Sequence, residues 1–289
     1  MSTNEAPFLV VAGVHNEMSL GWAAAQHWLD RDTNNEVVVT VRNPKSQEFI
    51  EAKNEEYDRR IEVVPGLDWT ERSAINGLRA ALSRIIGDER LVSGAVHSIA
   101  HAPAENFVTP AHELDMDVYL DTYKATALSL VGLVQGSIDR IRPSGGIVTY
   151  GFSEYGRLQP SYGPALSTAK VALSHLIKEL AGSLGQTEPC ARTAEIVTSF
   201  IPTYAGRGFL AGVGEKRGKR LKPADEEAYL ASQSVLQPYS SDKQRENAGK
   251  LAVEFVADPL WEQTTGARFE INAGWQLKGR EMIPPADTT

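Results

Sequence analysis

Residues 8–26 read FLVVAGVHNEMSLGWAAAQ and contain a change from one kind of secondary structure to another. The first five residues, Phe8–Ala12, are all apolar, which is typical of a strand that is buried on both faces. Beyond the following turn, Leu20, Ala24 and Trp28 are spaced as on one face of a helix. The sequence therefore predicts a buried strand, a glycine-containing turn and a helix in immediate succession.

The turn between these elements carries small residues that suit a bound nucleotide. Gly13 permits a sharp bend at the end of the strand, Ser19 can cap the helix, and Gly21 permits close approach of the backbone to a ligand or to the sheet. A helix N-terminus in this place presents free N–H groups to a pyrophosphate. The spacing departs from the GxGxxG fingerprint, so a strand-to-helix turn without a ligand remains an alternative.

Strand-like and helix-like segments continue to alternate along the chain. Further strands are predicted at 37–41, 61–64, 95–99, 146–150, 194–199 and 268–272, and helices over 70–86 and 119–141. Strands that alternate with long helices form a parallel sheet covered on both faces. We therefore predict an α/β fold, a single Rossmann-type, doubly wound parallel sheet of about seven strands with helices on both faces. One domain would span residues 1–289.

One irregular region, from Thr203 to Ser241, interrupts the alternation. It contains the basic run KRGKRLK at 216–222, which an acidic stretch follows. A solvated surface insertion is one interpretation of such a charge run, and a mobile lid with a positive rim is the other. We adopt the hypothesis of a substrate lid insertion over residues 203–241.

Composition and charge exclude several classes of function. The formal net charge of −8 argues against a general nucleic-acid binder. The single cysteine, Cys190, can form no intrachain disulfide and lacks the clustered partners of a metal site. The apolar run at 8–14 is too short to span a bilayer and has no basic segment before it. We expect a cytoplasmic protein with no metal, no nucleic-acid partner and no membrane association.

The end of the second strand bears on the choice of nicotinamide cofactor. NAD-selective sites commonly carry an acidic residue there, but this stretch reads VVVTVRNPKS and contains Arg42 and Lys45 instead. A guanidinium suits a 2′-phosphate through bidentate, charge-assisted hydrogen bonds. The sequence thus favours NADPH, with NADH as an alternative. A solvated arginine at a strand end is the competing interpretation.

Four stretches together resemble the enoyl-(acyl carrier protein) reductases of type II fatty-acid synthesis, a divergent branch of the short-chain dehydrogenases/reductases. They begin at residues 13, 95, 161 and 264 and read GVHNEMSLGWAAAQ, AVHSIAHAP, SYGPALSTAKVALSHLIKELAGSLG and TTGARFEINAGWQL. The resemblance implies a nicotinamide cofactor and an acyl-thioester substrate, on an acyl carrier protein or on coenzyme A. It also implies a homo-oligomer, commonly a tetramer.

The resemblance further implies roles for individual residues. Cofactor contacts are implied at Gly13, Ser19 and Leu20 for the pyrophosphate, Arg42 for the adenosine ribose, Asp68 and Trp69 for the adenine, Ser98, Ile99 and Ala100 for the nicotinamide, Lys170 for its ribose, and Ile201 and Thr203 for its amide. Substrate contacts are implied at His101, Ala102, Phe152, Tyr162 and Tyr204.

Tyr162 and Lys170 are the catalytic pair that the resemblance implies. In a typical short-chain dehydrogenase the tyrosine lies one helical turn before the lysine, but Leu166 occupies that position here. In the enoyl reductases it lies about two turns before, which in strict register is Gly163; a one-residue insertion near Pro164 would place Tyr162 at the helix entrance. Tyr162 would donate a hydrogen bond to the thioester oxygen, where negative charge develops. A surface-loop tyrosine and a solvated helix lysine are the alternatives.

Two further departures from the family pattern concern the substrate. Phe152 stands where many members carry a second active-site tyrosine, so it would pack over the substrate without donating a hydrogen bond. His101 stands where the family usually has an apolar residue, and it could contact a polar substrate or act as an acid. The leading hypothesis is an NADPH-dependent reductase of an enoyl thioester. A carbonyl or imine reductase of the same fold and a non-catalytic NAD(P)-sensing protein are the alternatives.

Overall fold

The computed structural model describes residues 7–152, 162–199, 201, 203, 228, 231 and 234–274. Within these residues, seven strands form one parallel sheet in the order β3-β2-β1-β4-β5-β6-β7. The strands are β1 (Phe8–Ala12), β2 (Glu36–Val41), β3 (Ile61–Pro65), β4 (Val92–His97), β5 (Ile141–Phe152), β6 (Arg192–Thr198) and β7 (Ala267–Ile271). The order reverses between β1 and β4, and this switch point is where open α/β sheets bind ligands. The predicted Rossmann-type sheet is confirmed.

Helices connect these strands and cover the sheet. The described helices are α1 (Leu20–Arg31), α2 (Pro44–Glu56), α3 (Ser73–Ile86), α4 (Met116–Tyr123), α5 (Ser129–Ser137), α6 (Pro164–Leu184) and α7 (Ser241–Ala257). The side chains of α1, α2 and α7 contribute to one core, and those of α3, α5 and α6 to the other.

Successive residues of β1 enter these two cores alternately. Leu9 and Val11 join the core formed with α1, α2 and α7, whereas Phe8, Val10 and Ala12 join the opposite core. Each of these five side chains is at most 1% exposed. A strand that is covered on both faces needs an apolar residue at every position, which is the physical reason for the continuous run FLVVA.

The single helix predicted over 119–141 is interrupted in the structure. Helix α4 begins earlier, at Met116, and a π-helical turn at Lys124–Leu128 separates it from α5. A short 3₁₀ helix then ends the helical segment at Arg140. Strand β5 begins directly afterwards, at Ile141, and contains Pro143.

Helix α2 was not identified from the sequence because its exposed surface is almost entirely polar. Only Ser46 and Ile50 of its residues are buried, so it shows little apolar periodicity. Its start is nevertheless well specified. Asn43 caps the helix by accepting a hydrogen bond from the backbone N–H of Ser46 at 3.0 Å, and Pro44 occupies the first helical position.

Several predictions fall on parts of the chain that are not described. Tyr204 and most of the predicted lid at 203–241 lie outside the described residues. Among the described helices, none is both long enough and apolar enough to cross a membrane. Within the same ranges, no cluster of three or more histidine, cysteine or acidic side chains could hold a metal ion.

Candidate active site

A cavity of about 470 Å³ opens at the carboxyl ends of the strands, at the switch point between β1 and β4. Its wall is formed by the turns after β1, β2, β3 and β4, together with residues of β5 and α6. The wall includes the following residues predicted to contact the cofactor: Gly13, Ser19, Leu20, Arg42, Asp68, Trp69, Ser98, Ile99, Ala100, Lys170 and Thr203. The predicted substrate residue His101 also lines it.

Four of the predicted site residues lie away from this wall. Among the described residues, Ala102, Phe152, Tyr162 and Ile201 are not part of it. Ile201 is buried, and its carbonyl accepts a hydrogen bond from the N–H of Thr203 at 2.7 Å. The cavity therefore corresponds to the expected cofactor site rather than to the expected acyl site.

The turn after β1 packs directly against the turn after β4. Gly13 has a φ of +94°, and a Cβ atom placed on it would collide with the carbonyl of Ser98. A Cβ on Gly21 would lie 3.1 Å from the Ser98 side chain. The backbone N–H of Ser98 also donates to the carbonyl of Ala12 at 2.8 Å. Glycine at these positions lets the two turns meet and leaves an open cradle at the start of α1.

Ser19 has a different role from the predicted helix cap. Its hydroxyl accepts hydrogen bonds from the backbone N–H groups of His15 and Asn16, each at 3.0 Å, and makes no cap to α1. The serine therefore ties the preceding turn together. The first turn of α1 is left without a side-chain cap, which suits an anion bound at its N-terminus.

The adenosine end of the cavity carries a cation beside a carboxylate. Nη1 of Arg42 lies 3.9 Å from Oδ2 of Asp68, and both side chains are substantially exposed. Asp68 accepts hydrogen bonds from the backbone N–H of Thr70 at 3.0 Å and from its hydroxyl at 2.7 Å. Partial burial opposes ionisation of Asp68, but these bonds, the charge of Arg42 and, in acid, that of protonated His101 outweigh it and lower its pKa. The site therefore holds Asp68 as a carboxylate at neutral pH.

One polar cluster in the cavity wall was missed from the sequence, and it consists of His15, Asn43 and Ser46. The Ser46 hydroxyl donates to Oδ1 of Asn43 at 3.1 Å and lies 2.9 Å from Nδ1 of His15. Because the hydroxyl proton is used on Asn43, Nδ1 of His15 is the donor to Ser46. The pattern Asn-Pro-x-Ser after the second strand is a helix start, and it would have placed this polar cluster beside Arg42.

The loop after β4 is anchored to the π-helical turn. The backbone N–H of His101 donates to the hydroxyl of Thr126 at 3.1 Å, and that hydroxyl donates to the carbonyl of His101 at 3.1 Å. Thr126 is completely buried, with 0% exposure. Single π-helical turns inside α-helices occur frequently at functional sites. Here the turn holds the segment that the resemblance places beside the nicotinamide.

His97, at the end of β4, is buried and forms hydrogen bonds through both ring nitrogens. Its Nδ1 lies 2.9 Å from the Thr149 hydroxyl and its Nε2 lies 2.8 Å from the Ser129 hydroxyl. Because Ser129 donates to the Ala125 carbonyl at 2.7 Å, Nε2 carries the proton. Burial, and secondly the ammonium of Lys170, lower the pKa of His97 to about 3. The imidazole is therefore neutral and connects β4 to β5 and to the first residue of α5.

His101 differs from His97 because it lies on the exposed loop and lines the cavity. Partial burial of its ring, followed by the nearby charge of Arg42, lowers its pKa below the usual 6.5. The ring is therefore neutral at pH 7. A neutral imidazole can donate one hydrogen bond to a polar ligand and accept another, but it is a weak general acid.

Lys170 is a buried lysine, not a solvated one. It lies on α6, is 6% exposed, and its Nζ donates to the carbonyl of Tyr150 at 2.7 Å. Burying an ammonium is costly unless it is hydrogen-bonded. The placement of this charge in the cavity wall supports a cofactor contact and excludes the interpretation as a surface lysine.

Tyr162 lies immediately before the start of α6 and is half-buried. Its ring stacks on that of Phe152, with centroids 4.3 Å apart and an interplanar angle of 11°. Phe152, at the end of β5, is 6% exposed. Phe152 therefore supports the phenol ring, a contact that the sequence interpretation did not include.

Comparisons with known proteins agree with this arrangement. Residues 13–275 match the family model described as enoyl-(acyl carrier protein) reductase. A curated relative, the enoyl-(acyl-carrier-protein) reductase (NADH) FabI of Enterococcus faecalis, is 26% identical over 200 residues. This match covers 69% of the present chain and 75% of the relative.

Solved structures with a similar fold belong to the same kind of protein. The Bacillus cereus enoyl-acyl carrier protein reductase with NADP⁺ and indole naphthyridinone superposes with a TM-score of 0.78 at 19% identity, covering 96% of this chain and 100% of that one. The Aquifex aeolicus enoyl-(acyl-carrier-protein) reductase (NADH) also gives a TM-score of 0.78, at 20% identity, covering 95% and 98%. These similarities establish the fold.

Proposed function

The chain belongs to the enoyl-(acyl carrier protein) reductase family, and from that premise we propose that it reduces the C=C bond of an enoyl thioester at the expense of NADPH. The observation that carries the proposal is the cavity at the switch point of the sheet. Its wall combines the Gly13 turn, the guanidinium of Arg42 and the buried ammonium of Lys170. The Gly13 turn suits the pyrophosphate of NADPH, and Arg42 suits the 2′-phosphate on its adenosine ribose. Lys170 suits the ribose of the nicotinamide.

The residues present fit a nicotinamide cofactor. The open backbone at Gly13 and the uncapped start of α1 suit the pyrophosphate. Trp69 offers an aromatic face to the adenine, and its Nε1–H donates a hydrogen bond to the Thr40 hydroxyl at 3.2 Å. Arg42 beside the start of α2 suits a 2′-phosphate, which favours NADPH while leaving NADH usable. When bound, the cofactor supplies the hydride for the β-carbon of the substrate.

Tyr162 would supply the hydrogen bond that stabilises the substrate oxygen. Negative charge develops on that oxygen as the double bond is reduced, and a phenol donor placed there lowers the barrier. Lys170 would keep the local potential positive, since its ammonium lies in the cavity wall. The stacked ring of Phe152 restricts the orientations that the phenol can adopt.

The acyl group of the substrate would be carried on an acyl carrier protein, with coenzyme A as the alternative carrier. We also propose a homo-oligomer, with the tetramer as the expected state. Helix α4 supports self-association because Met116, Leu120 and Tyr123 follow one helical face and are 73%, 52% and 38% exposed.

The function is tested by following NADPH and NADH absorbance with two substrate panels. Short enoyl thioesters such as crotonyl-coenzyme A form one panel, and ketones form the other. NADPH oxidation with the thioesters is the expected result. Oxidation with ketones alone would indicate a carbonyl reductase, and tight NADPH binding without turnover of any acceptor would indicate a sensing protein.

A further inference from the structure

Asn106 is a polar side chain completely enclosed by the protein, with 0% exposure. It belongs to the short 3₁₀ helix Ala104–Phe107, which follows β4. The side chain does not line the cavity, and neither the family resemblance nor the cavity explains it. A buried amide is retained at low cost only where its donors and acceptors are paired, so its hydrogen bonds show what it holds in place.

Those hydrogen bonds all lead to the start of α6. Oδ1 of Asn106 accepts from the backbone N–H of Ala165 at 2.8 Å and from that of Leu166 at 3.1 Å. Nδ2 donates to the backbone carbonyl of Tyr162 at 3.1 Å. The Asn106 side chain therefore caps α6 and also forms a hydrogen bond with Tyr162, just before this helix.

Gly163 makes this arrangement sterically possible. It occupies the N-cap position of α6, has a φ of +77°, and provides no side-chain cap. A Cβ atom on it would collide with both the backbone carbonyl and the side chain of Asn106. The sequence Tyr-Gly-Pro thus brings the backbone next to Asn106, which takes over the capping that the N-cap residue ordinarily performs.

We infer that Asn106 is the positioning residue for Tyr162 in the reaction. The inference rests on the proposed role of the Tyr162 phenol. Asn106 fixes the backbone of Tyr162 from one side, while the stacked ring of Phe152 fixes its side chain. The loop after β4 contributes His101 to the cavity wall, so Asn106 also couples the position of the phenol to that wall.

The substitution Asn106→Asp separates capping from positioning. A carboxylate keeps two acceptors for Ala165 and Leu166 and is favoured at a helix N-terminus. It has no N–H for the Tyr162 carbonyl and sets oxygen against oxygen there. We expect kcat with crotonyl-coenzyme A to fall by about tenfold or more, because small misplacements of a catalytic group are costly. NADPH affinity should stay within about twofold.

Asn35→Asp is the matched control. Asn35 is also buried, at 3% exposure, and its Nδ2 donates to the Trp28 carbonyl at 2.7 Å, away from the cavity. This variant loses the same kind of hydrogen bond, so it should lower Tm while leaving kcat unchanged. Hydrogen exchange at the amides of Ala165 and Leu166 gives a readout independent of turnover, and it should stay slow in Asn106→Asp because the carboxylate still accepts from both.

A double-mutant cycle with Tyr162→Phe decides whether Asn106 acts through the phenol. If it does, Asn106→Asp slows the wild-type enzyme but not the Tyr162→Phe variant, because the hydroxyl it positions is already gone. Equal slowing in both backgrounds, or a wild-type kcat in Asn106→Asp, would overturn this inference alone. No effect of Tyr162→Phe by itself would overturn both the proposed role of Tyr162 and this inference. Asn106→Ser, which also lacks the amide donor, replaces Asn106→Asp in the cycle if the latter does not fold.

Discussion

The aromatic rings of Tyr162 and Phe152 are stacked, with centroids 4.3 Å apart and planes inclined by 11°. The two residues come from different elements, Phe152 from the end of β5 and Tyr162 from the entrance to α6. The family pattern often has a second tyrosine near the position of Phe152. The present chain uses that position to support the phenol ring.

Removing only the hydroxyl of Tyr162 tests its role most directly. Tyr162→Phe keeps the stacked pair, so any effect comes from the lost hydrogen bond. We expect turnover to fall by roughly a hundredfold, the usual cost of losing a donor to a developing oxyanion, while NADPH affinity stays nearly unchanged. Steady-state kinetics and a fluorescence titration with NADPH measure the two quantities.

Tyr119→Phe is the control for this variant, because the Tyr119 hydroxyl donates to the Ala111 carbonyl on the surface. Unchanged turnover in Tyr162→Phe would remove the residue from the mechanism.

The buried ammonium of Lys170 should serve both binding and turnover. Lys170→Met retains the length of the side chain and removes its charge, so we expect NADPH to bind about tenfold more weakly and turnover to fall. Lys178→Met, on the exposed face of the same helix, is the matched control. Calorimetric titration with NADPH gives the affinities. Equal affinity in the two variants would contradict the proposed ribose contact.

Arg42 should set the preference for NADPH over NADH. Arg42→Asp removes the cation and adds a second carboxylate near Asp68, so we expect NADPH to lose its advantage by at least about tenfold. The ratio of kcat/KM for the two cofactors measures this effect. Lys45→Asp makes the same change in charge nearby, at an exposed residue outside the cavity wall, and should alter the ratio far less. An unchanged ratio in Arg42→Asp would show that Arg42 does not determine the preference for NADPH.

Two glycines should respond in opposite ways to alanine. Gly13→Ala introduces a Cβ that collides with the Ser98 carbonyl at a positive φ, so we expect a loss of unfolding free energy of about 2 kcal/mol and weaker cofactor binding. Gly182 lies inside α6 with no atom near its missing Cβ. Gly182→Ala should therefore stabilise the protein by about 0.5–1 kcal/mol. Urea unfolding with and without NADPH measures both, and a Gly13→Ala variant as stable as wild type would disprove the close contact.

His97 should contribute to acid sensitivity of the fold. In the unfolded chain it binds a proton near its usual pKa of 6.5, whereas the folded value is about 3. Between these values the unfolded state holds the extra proton, so stability from this residue is present above pH 6.5 and is lost as the pH falls towards 3. The loss amounts to about 1.4 kcal/mol per pH unit.

His97→Gln cannot take up this proton, so its unfolding free energy should fall less steeply with acid. Urea unfolding at pH 7, 6, 5 and 4 compares the slopes of the two proteins. If the two proteins lost stability with the same slope, the pKa of His97 would not differ between the folded and unfolded states. His175→Gln is the control, since that histidine is exposed on α6.

The sequence by itself determined the sheet and the cofactor end of the site. Continuous apolar runs such as FLVVA are typical of strands covered on both faces, and parallel strands bring their carboxyl ends to one edge. At that edge the family resemblance implied cofactor contacts for Gly13, Arg42 and Ser98, and all three line the one cavity. The polar helix α2 and the π-helical turn escaped detection, because neither produces a distinctive apolar period.

The setting of Tyr162 was decided only by the tertiary structure. The spacing along the chain did not fix where Tyr162 lies relative to Lys170. Gly163 and Pro164 stand between them at the start of the helix, where residues do not yet follow the helical period. Asn106, from the loop after β4, and Phe152, at the end of β5, hold Tyr162 by a hydrogen bond to its carbonyl and by a stacked ring. Local periodicity encodes which residues share a face of one element, but contacts between elements depend on how separate loops meet at the edge of the sheet.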